Sequence, residues 1–237
     1  MGFLQDILPI FKKHTLVLQE KRNETGDIVT FIFKPQEKLQ WKSGQHGIFF
    51  INHVKIKKSS RAFSIASTPD DGEIMISMRI TKEPSEYKKA LMTMAEGTTI
   101  TMRGPIGSFY VEENNPVLMV AGGIGITPYR ALIKEVSQSQ NTKILPKSIT
   151  LLYLDSKEQY IYHNEFQEMS QDPKINIKHL NSRESLKKEM EDFINQHNNE
   201  GKYYLSGSGT MVKELKQTLK DKGISKKQIK NDIFIGY

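Results

Sequence analysis

The 237-residue sequence predicts two successive domains, an antiparallel β-barrel followed by an α/β domain with a parallel sheet. The length is sufficient for two hydrophobic cores of ordinary size. The first half consists of short β-like runs separated by turn residues, whereas the second half alternates apolar strands with amphipathic helices. Because the pattern changes near Asn114, we expect the domains to cover residues 1–114 and 115–237.

Five β-like runs in the first half predict the barrel. They are TLVLQEKR from Thr15, DIVTFIFKP from Asp27, GQHGIFFI from Gly44, EIMISMRIT from Glu73 and TTITMRG from Thr98. A helical stretch over residues 85–94 interrupts them, with apolar side chains on one face at Tyr87, Leu91 and Met94. We expect this helix to lie across one end of the barrel. Residues 3–13 are expected to form a short amphipathic helix or arm, although Pro9 is unfavourable inside a helix.

The second half opens with a strand, a glycine-rich turn and a helix over residues 116–137, and the apolar strand SITLLYLD follows. This arrangement is a βαβ unit. Further along, helical and strand patterns alternate in the order NEFQEMSQ, INIKHL, ESLKKEMEDFINQ, KYYLSGS, GTMVKELKQTLKDKG and DIFIGY. Right-handed crossovers between such strands predict a parallel sheet with helices on both faces.

The composition excludes several kinds of chemistry. Cysteine is absent, so the chain forms no disulfide and holds no cysteine-ligated iron–sulfur cluster, and we expect no fused iron–sulfur domain. The six histidines lack metal-ligand spacing, and we expect no metal site. No apolar run approaches the roughly 20 residues of a membrane-spanning helix, and a secretory signal is missing, so we expect a cytoplasmic protein.

The net charge of +7 is compatible with an acidic protein partner, anionic lipid or nucleic acid. The lysine-rich stretches at residues 55–58 and 220–230 lack the interleaved aromatic side chains of a base-stacking surface. We therefore expect no nucleic-acid binding. Ordinary solubility is the simplest alternative reason for the positive charge.

Two glycine-rich turns each follow an apolar strand and precede a helix, AGGIGITP over residues 121–128 and LSGSGTM over residues 205–211. Turns of this kind let the backbone approach a pyrophosphate, and the helix N-terminus attracts its negative charge. Either turn alone can serve simply as a tight connection, but two turns at the same sheet edge can converge on one ligand. The predicted nucleotide-binding residues here are Gly123, Gly125, Thr127, Gly207, Ser208 and Met211.

Asn181, Ser182 and Arg183 follow the strand INIKHL at the same carboxyl edge. An arginine beside a hydroxyl can hold a ribose 2′-phosphate through paired hydrogen bonds. Alternatively, Ser182 serves only as the N-cap of the next helix and Arg183 is solvated. Both interpretations stay open at this point.

The segment RAFSIAST, residues 61–68, follows a basic loop. Strand alternation places Arg61, Phe63 and Ile65 on one face. It resembles the Arg-x-Tyr/Phe-Ser signature of the ferredoxin-NADP reductase family of flavoproteins. Three further segments resemble that family in the same order: GPIGSF over residues 104–109, AGGIGITP, and the terminal IGY. Four motifs in family order are far more specific than any one of them.

The resemblance implies an FAD site in the first half. In it, Arg61 pairs with the FAD pyrophosphate, Phe63 packs on the flavin ring and the Ser64 hydroxyl lies near flavin N5. Ser85 helps hold the diphosphate at a helix start, or acts as a plain N-cap, and both roles are compatible. The resemblance also places Ala62 and Ile80 in the FAD site.

The resemblance implies two more residues near the reaction. Ser206 stands where many family members have a cysteine close to the reacting nicotinamide carbon. The ring of Tyr237, the last residue, would cover the flavin face and move aside for the nicotinamide, unless the chain end is frayed. The predicted catalytic residues are thus Ser64, Ser206 and Tyr237.

The implied activity is hydride transfer from NADPH, or from NADH, to FAD, with electrons passed on to a separate carrier protein. Arg183 favours NADP over NAD, and the positive charge favours an acidic ferredoxin-type or flavodoxin-type partner. The main alternative is a regulatory subunit that binds flavin and nicotinamide without turnover. A nucleic-acid-binding barrel would leave RAFSIAS and both glycine turns without a purpose.

Overall fold

A computed structural model describes residues 8–111, 114–139 and 146–234. The chain divides into two units, Met1–Tyr110 and Val111–Tyr237. The strands of the first unit are β1 (Lys13–Asn23), β2 (Ile28–Pro35), β3 (His46–Phe50), β4 (Ser60–Ser64), β5 (Ile74–Arg79) and β6 (Thr99–Ile106). They form one antiparallel six-stranded half-barrel in the order β4-β3-β6-β1-β2-β5. The predicted antiparallel architecture is confirmed.

Helix α1 (Glu86–Thr93) packs its apolar face into the core of the first unit. Tyr87, Leu91 and Met94 are almost completely buried among the inward-facing side chains of the strands. The Tyr87 hydroxyl donates a hydrogen bond to the backbone oxygen of Phe49 at 3.1 Å. Burial raises the pKa of Tyr87 well above its usual range, so this phenol stays protonated and fixes α1 to β3.

The helix expected over residues 3–13 is present only as a single 3₁₀ turn, Leu8–Phe11, within the described part of the chain. The backbone N–H of Lys12 closes this turn on the Pro9 carbonyl at 2.9 Å, and β1 already begins at Lys13. Residues 3–7 of the expected helix lie outside the described residues. Phe11 is left 80% exposed at its end.

The strands of the second unit are β7 (Pro116–Gly122), β8 (Ser148–Leu154), β9 (Ile175–Leu180), β10 (Lys202–Ser208) and β11 (Ile229–Phe234). Its helices are α2 (Thr127–Gln138), α3 (His163–Met169), α4 (Arg183–His197) and α5 (Gly209–Asp221). All neighbouring strands pair in parallel, in the order β11-β10-β7-β8-β9. The predicted parallel sheet is confirmed.

The strand order reverses at β7. From β7 the chain runs outward through β8 to β9, then crosses back to β10 on the other side of β7. Helices α4 and α5 bury Leu186, Met190 and Val212 on one face of the sheet, against Leu118 and Leu205. The neighbouring strands β7 and β10 therefore form a topological switch point, where open α/β sheets bind ligands at the carboxyl edge.

No helix within the described ranges is both long enough and apolar enough to cross a membrane.

Candidate functional site

The candidate site of the first unit is strand β4 and the side chains it directs toward α1. Phe63 lies opposite Gly47 on β3, and its ring centroid lies 5.8 Å from that of Phe49 and 6.0 Å from that of Tyr87. The guanidinium carbon of Arg61 lies 5.5 Å from the centroid of the same Tyr87 ring. Tyr87 thus contacts both side chains, and the half-buried Phe63 ring packs against both Phe49 and Tyr87.

Arg61 lies in a positively charged environment. Its Nη1 donates to the Ser60 carbonyl at 2.8 Å, and no carboxylate of the described residues pairs with it. The pKa of Lys88 is lowered, first by burial and then by the charges of Arg61 and Arg79. Asp27 forms an ion pair with Arg79. The Lys88 ammonium donates to the Arg79 carbonyl at 2.8 Å and also lies within reach of the Asp27 charge. Arg61 is thus the cation of this group that has no carboxylate partner among the described residues, and a guanidinium suits a diphosphate.

The start of α1 adds a second feature that suits an anion. Ser85 is the N-cap, and its hydroxyl accepts a hydrogen bond from the Lys88 backbone N–H at 3.4 Å. A lysine in the first turn of a helix is unfavourable, because the N-terminus already carries partial positive charge. Nearby phosphate oxygens would offset both the charge of Lys88 and the partial positive charge of the helix N-terminus. Sequence patterns did not single out Lys88, although a lysine three residues after an N-cap serine was a usable signal.

The remaining predicted FAD residues lie along the same strands. Ser64 is buried opposite His46 on β3, whereas Ala62 is exposed. Ile80 is half-buried against the core, and its N–H donates to the Asp27 carbonyl at 2.6 Å. The flavin contacts assigned to these three residues stay predictions.

The candidate site of the second unit is the junction of the two glycine turns at the ends of β7 and β10. A Cβ atom built on Gly125 would lie 2.5 Å from the Ser206 carbonyl oxygen and 2.8 Å from the Gly207 nitrogen. Gly207 has φ +151°, and a Cβ on it would lie 3.4 Å from the backbone of Gly122. Gly123 begins the 3₁₀ turn that leads from β7 into α2. The two turns are therefore in backbone contact, which only glycine permits at Gly125.

Three more predicted nucleotide residues surround this junction. Thr127 is buried at the start of α2, and its hydroxyl donates to the Ile124 carbonyl at 3.2 Å. Ser208 caps α5 by accepting a hydrogen bond from the Met211 N–H at 3.3 Å. The Met211 sulfur packs against Gly122 and fills the place where a Cβ on that glycine would stand. Of these three side chains, Met211 contacts the junction directly, whereas Thr127 and Ser208 fix the starts of the helices that follow the two turns.

Ser206 supplies a buried polar atom at the same junction. The residue is 1% exposed, and its hydroxyl oxygen has no hydrogen-bond partner among the described residues. A buried hydroxyl without a hydrogen-bond partner is unfavourable in a folded protein, and a bound polar ligand or water would relieve that cost. The hydroxyl and the close approach at Gly125 both lie at the carboxyl edge of β7 and β10, the edge at which open α/β sheets bind ligands.

Ser182 and Arg183 lie at the start of α4. The Ser182 hydroxyl caps the helix by accepting from the Ser185 N–H at 3.2 Å, as the capping interpretation predicts. Arg183 is not simply solvated, since its Nη1 lies 2.9 Å from Oε2 of Glu214 on α5. Both side chains are largely exposed, 73% and 54%. Glu214 was not predicted, because it lies 31 residues further along the chain with no local signal.

Tyr237, the third predicted catalytic residue, lies outside the described residues. Its place over the flavin stays a prediction.

Two family models match the chain, one over each unit. Residues 15–110 match the oxidoreductase FAD-binding domain, and residues 119–217 match the oxidoreductase NAD-binding domain. The two matches together cover most of the chain, and they fall on the units that contain Arg61 and the glycine-turn junction respectively. The chain therefore has an FAD-binding and an NAD(P)-binding domain, in that order.

Two relatives and one solved structure illustrate the likeness. The Na(+)-translocating NADH-quinone reductase of Shewanella putrefaciens has a subunit that is 31% identical over 119 residues, 47% of this chain and 40% of the relative. The 2-halobenzoate 1,2-dioxygenase electron transfer component from Burkholderia cepacia is 29% identical over 149 residues, 60% of this chain and 42% of the relative. The chain thus spans less than half the length of these two proteins.

The ferredoxin-NADP+ reductase from Plasmodium falciparum with 2′P-AMP matches with a TM-score of 0.78, covering 95% of this chain and 97% of that one. At 17% identity this likeness supports the fold alone. The assignment to a family rests on the two family models, which match the two units in order along the chain. The chain belongs to the ferredoxin-NADP reductase family of FAD- and NAD(P)-binding flavoprotein oxidoreductases.

Proposed function

We propose that this protein oxidises NADPH, or NADH, through bound FAD and delivers the electrons to a separate carrier protein. The observation that carries the proposal is the junction of the two glycine turns, with the buried unpaired hydroxyl of Ser206 beside it. A tight connection between strand and helix needs neither the backbone contact at Gly125 nor an unpaired hydroxyl. A site for a polar nucleotide explains both.

The chain's own residues have distinct roles in this proposal. Arg61 and Lys88 bind the FAD diphosphate, and Phe63, held by Phe49 and Tyr87, presents a fixed aromatic surface to the flavin. Ser206 offers its hydroxyl to the nicotinamide and so orients it. When bound, FAD would supply the redox chemistry of hydride acceptance and single-electron transfer.

An anaerobic absorbance spectrum of the FAD-loaded protein, before and after addition of NADPH or NADH, tests this proposal. Bleaching of the flavin band by either nucleotide is the expected result, and the faster nucleotide is the preferred one. A flavin that stays oxidised with both would instead indicate a binding or sensory role without turnover. Failure to take up FAD would contradict the assignments of Arg61 and Phe63.

We propose an acidic electron carrier of the ferredoxin or flavodoxin type as the partner. The net charge of +7 favours encounter with such a protein, and one relative is itself named an electron transfer component. Steering by charge is screened by salt. The rate of carrier reduction is therefore expected to fall as ionic strength rises, and a rate independent of salt would argue against an acidic partner.

Replacing Arg183 with alanine is expected to raise the KM for NADPH about tenfold while leaving the KM for NADH nearly unchanged. The reason is the loss of a charge-assisted hydrogen bond to the 2′-phosphate at an exposed site. Steady-state kinetics with both nucleotides measure the effect. Lys187→Ala, which removes an exposed cation from the same helix, is the matched control. Equal changes for NADPH and NADH would mean that Arg183 does not contact the 2′-phosphate.

A further inference from the structure

The ion pair between Arg183 and Glu214 joins the starts of two helices at the ligand-binding edge of the sheet. Arg183 is the first residue of α4, and Glu214 lies in the second turn of α5. Helix α5 begins immediately after the turn that contacts Gly125. The carboxylate of Glu214 thus occupies a hydrogen-bonding position on the guanidinium that the proposed function assigns to the 2′-phosphate.

The side chains of the two residues before Arg183 also form hydrogen bonds. Asn181 donates its side-chain N–H to Oε1 of Glu158 at 2.7 Å. The Ser182 hydroxyl lies 2.8 Å from the Ser185 hydroxyl and accepts the Ser185 N–H. Two carboxylates therefore hold the polar groups on either side of Ser182, and an incoming phosphate must compete with negative charge there.

We infer that Glu214 is a specificity-determining residue that weakens the preference for NADPH over NADH. This inference rests on the proposed contact between Arg183 and the 2′-phosphate. NADH has no 2′-phosphate and leaves the ion pair intact. NADPH must displace the Glu214 carboxylate from the Arg183 guanidinium. The free energy lost with this ion pair offsets part of the free energy gained from the phosphate contact.

The solvent exposure of the Arg183–Glu214 ion pair determines how much it lowers the affinity for NADPH. An exposed ion pair is weak, because water and salt screen it and its long side chains lose freedom. A phosphate monoester carries more negative charge than a carboxylate and binds a guanidinium through two oxygens. NADPH therefore displaces Glu214, but with reduced affinity. Removing the carboxylate charge is expected to strengthen binding of the 2′-phosphate about two- to fivefold.

Calorimetric titration of the FAD-loaded protein with 2′,5′-ADP and with 5′-AMP tests the inference without relying on turnover. Glu214→Gln keeps the side-chain shape and removes the charge. It is expected to tighten binding of 2′,5′-ADP and to leave binding of 5′-AMP unchanged. Glu184→Gln is the matched control, since Glu184 is exposed, adjoins Arg183 in the chain and has no place in the pair.

The double variant Arg183→Ala with Glu214→Gln separates the pair from a general change of charge. The gain from Glu214→Gln is expected to disappear when Arg183 is already alanine. A gain that persists there, an equal gain in Glu184→Gln, or no gain at all would each overturn the role of Glu214. If neither fragment binds the unaltered protein, the proposed nucleotide site itself fails. If Arg183→Ala weakens both fragments equally, the 2′-phosphate contact fails and the inference with it.

Discussion

Replacing Arg61 with alanine is expected to weaken FAD binding by roughly tenfold to a hundredfold, the range for losing a charge-assisted hydrogen bond to a phosphate. The guanidinium has no carboxylate partner among the described residues and lies near the cation of Lys88. Without a bound anion these charges repel each other. The substitution removes half of that cation pair, so it lowers affinity for the diphosphate. Titration of the apoprotein with FAD, followed by flavin fluorescence, measures the change.

Arg103→Ala is a matched control for this variant. Its guanidinium carbon lies 5.1 Å from the ring centroid of Phe50, so the control also removes an arginine from an aromatic ring in the same unit. We expect it to leave FAD affinity nearly unchanged. Arg61→Lys is expected to recover part of the affinity, because it restores the charge without the planar fork. Equal losses of affinity in Arg61→Ala and Arg103→Ala would show that Arg61 acts through stability and not through the phosphate.

Replacing Gly125 with alanine is expected to slow flavin reduction by NADPH or NADH about a hundredfold or more. The added Cβ would overlap the backbone of Ser206 and Gly207, and backbone atoms inside a parallel sheet cannot move as a side chain does. The two turns must separate, and a shift of about 1 Å at a reacting group can cost this much rate. We also expect a loss of about 1–3 kcal/mol in the free energy of unfolding. Stopped-flow reduction and thermal unfolding measure the two effects.

Gly209→Ala tests whether the effect at Gly125 is specific to the turn junction. A Cβ on Gly209 would lie 3.5 Å from Cγ2 of Ile233, an ordinary contact, and the residue begins α5. Alanine is favourable in a helix, so the free energy of unfolding is expected to stay equal or rise slightly. FAD binding is expected to survive in both variants, because Arg61 and Phe63 belong to the other unit. A Gly125→Ala protein that is reduced at the normal rate would refute the nucleotide site at this junction.

The order and type of the elements followed from the sequence because their signals are local. Alternation with period two predicted β1 and β6, and apolar spacing with the helical period predicted α1, including the buried face of Tyr87, Leu91 and Met94. Capping by Ser85 and Ser182 was one of the two roles that the sequence left open for each residue, and both serines are N-caps, since an N-cap depends only on the next few residues. Of the helix or arm expected over residues 3–13, the described part is a 3₁₀ turn followed by β1 from Lys13, and residues 3–7 lie outside the described residues.

Contacts between distant residues were decided only by the tertiary structure. Family motifs identified Arg61 and Gly125, and the position after β9 singled out Arg183, but each of the three meets a partner that its own segment does not indicate. Tyr87 and Lys88 reach Arg61 because α1 packs across the strands, and Ser206 reaches Gly125 because β7 and β10 are neighbours at the switch point. Glu214 reaches Arg183 because α4 and α5 cover the same face of the sheet. A sequence pattern specifies the local conformation of each segment, whereas pairs of this kind depend on how the segments pack together.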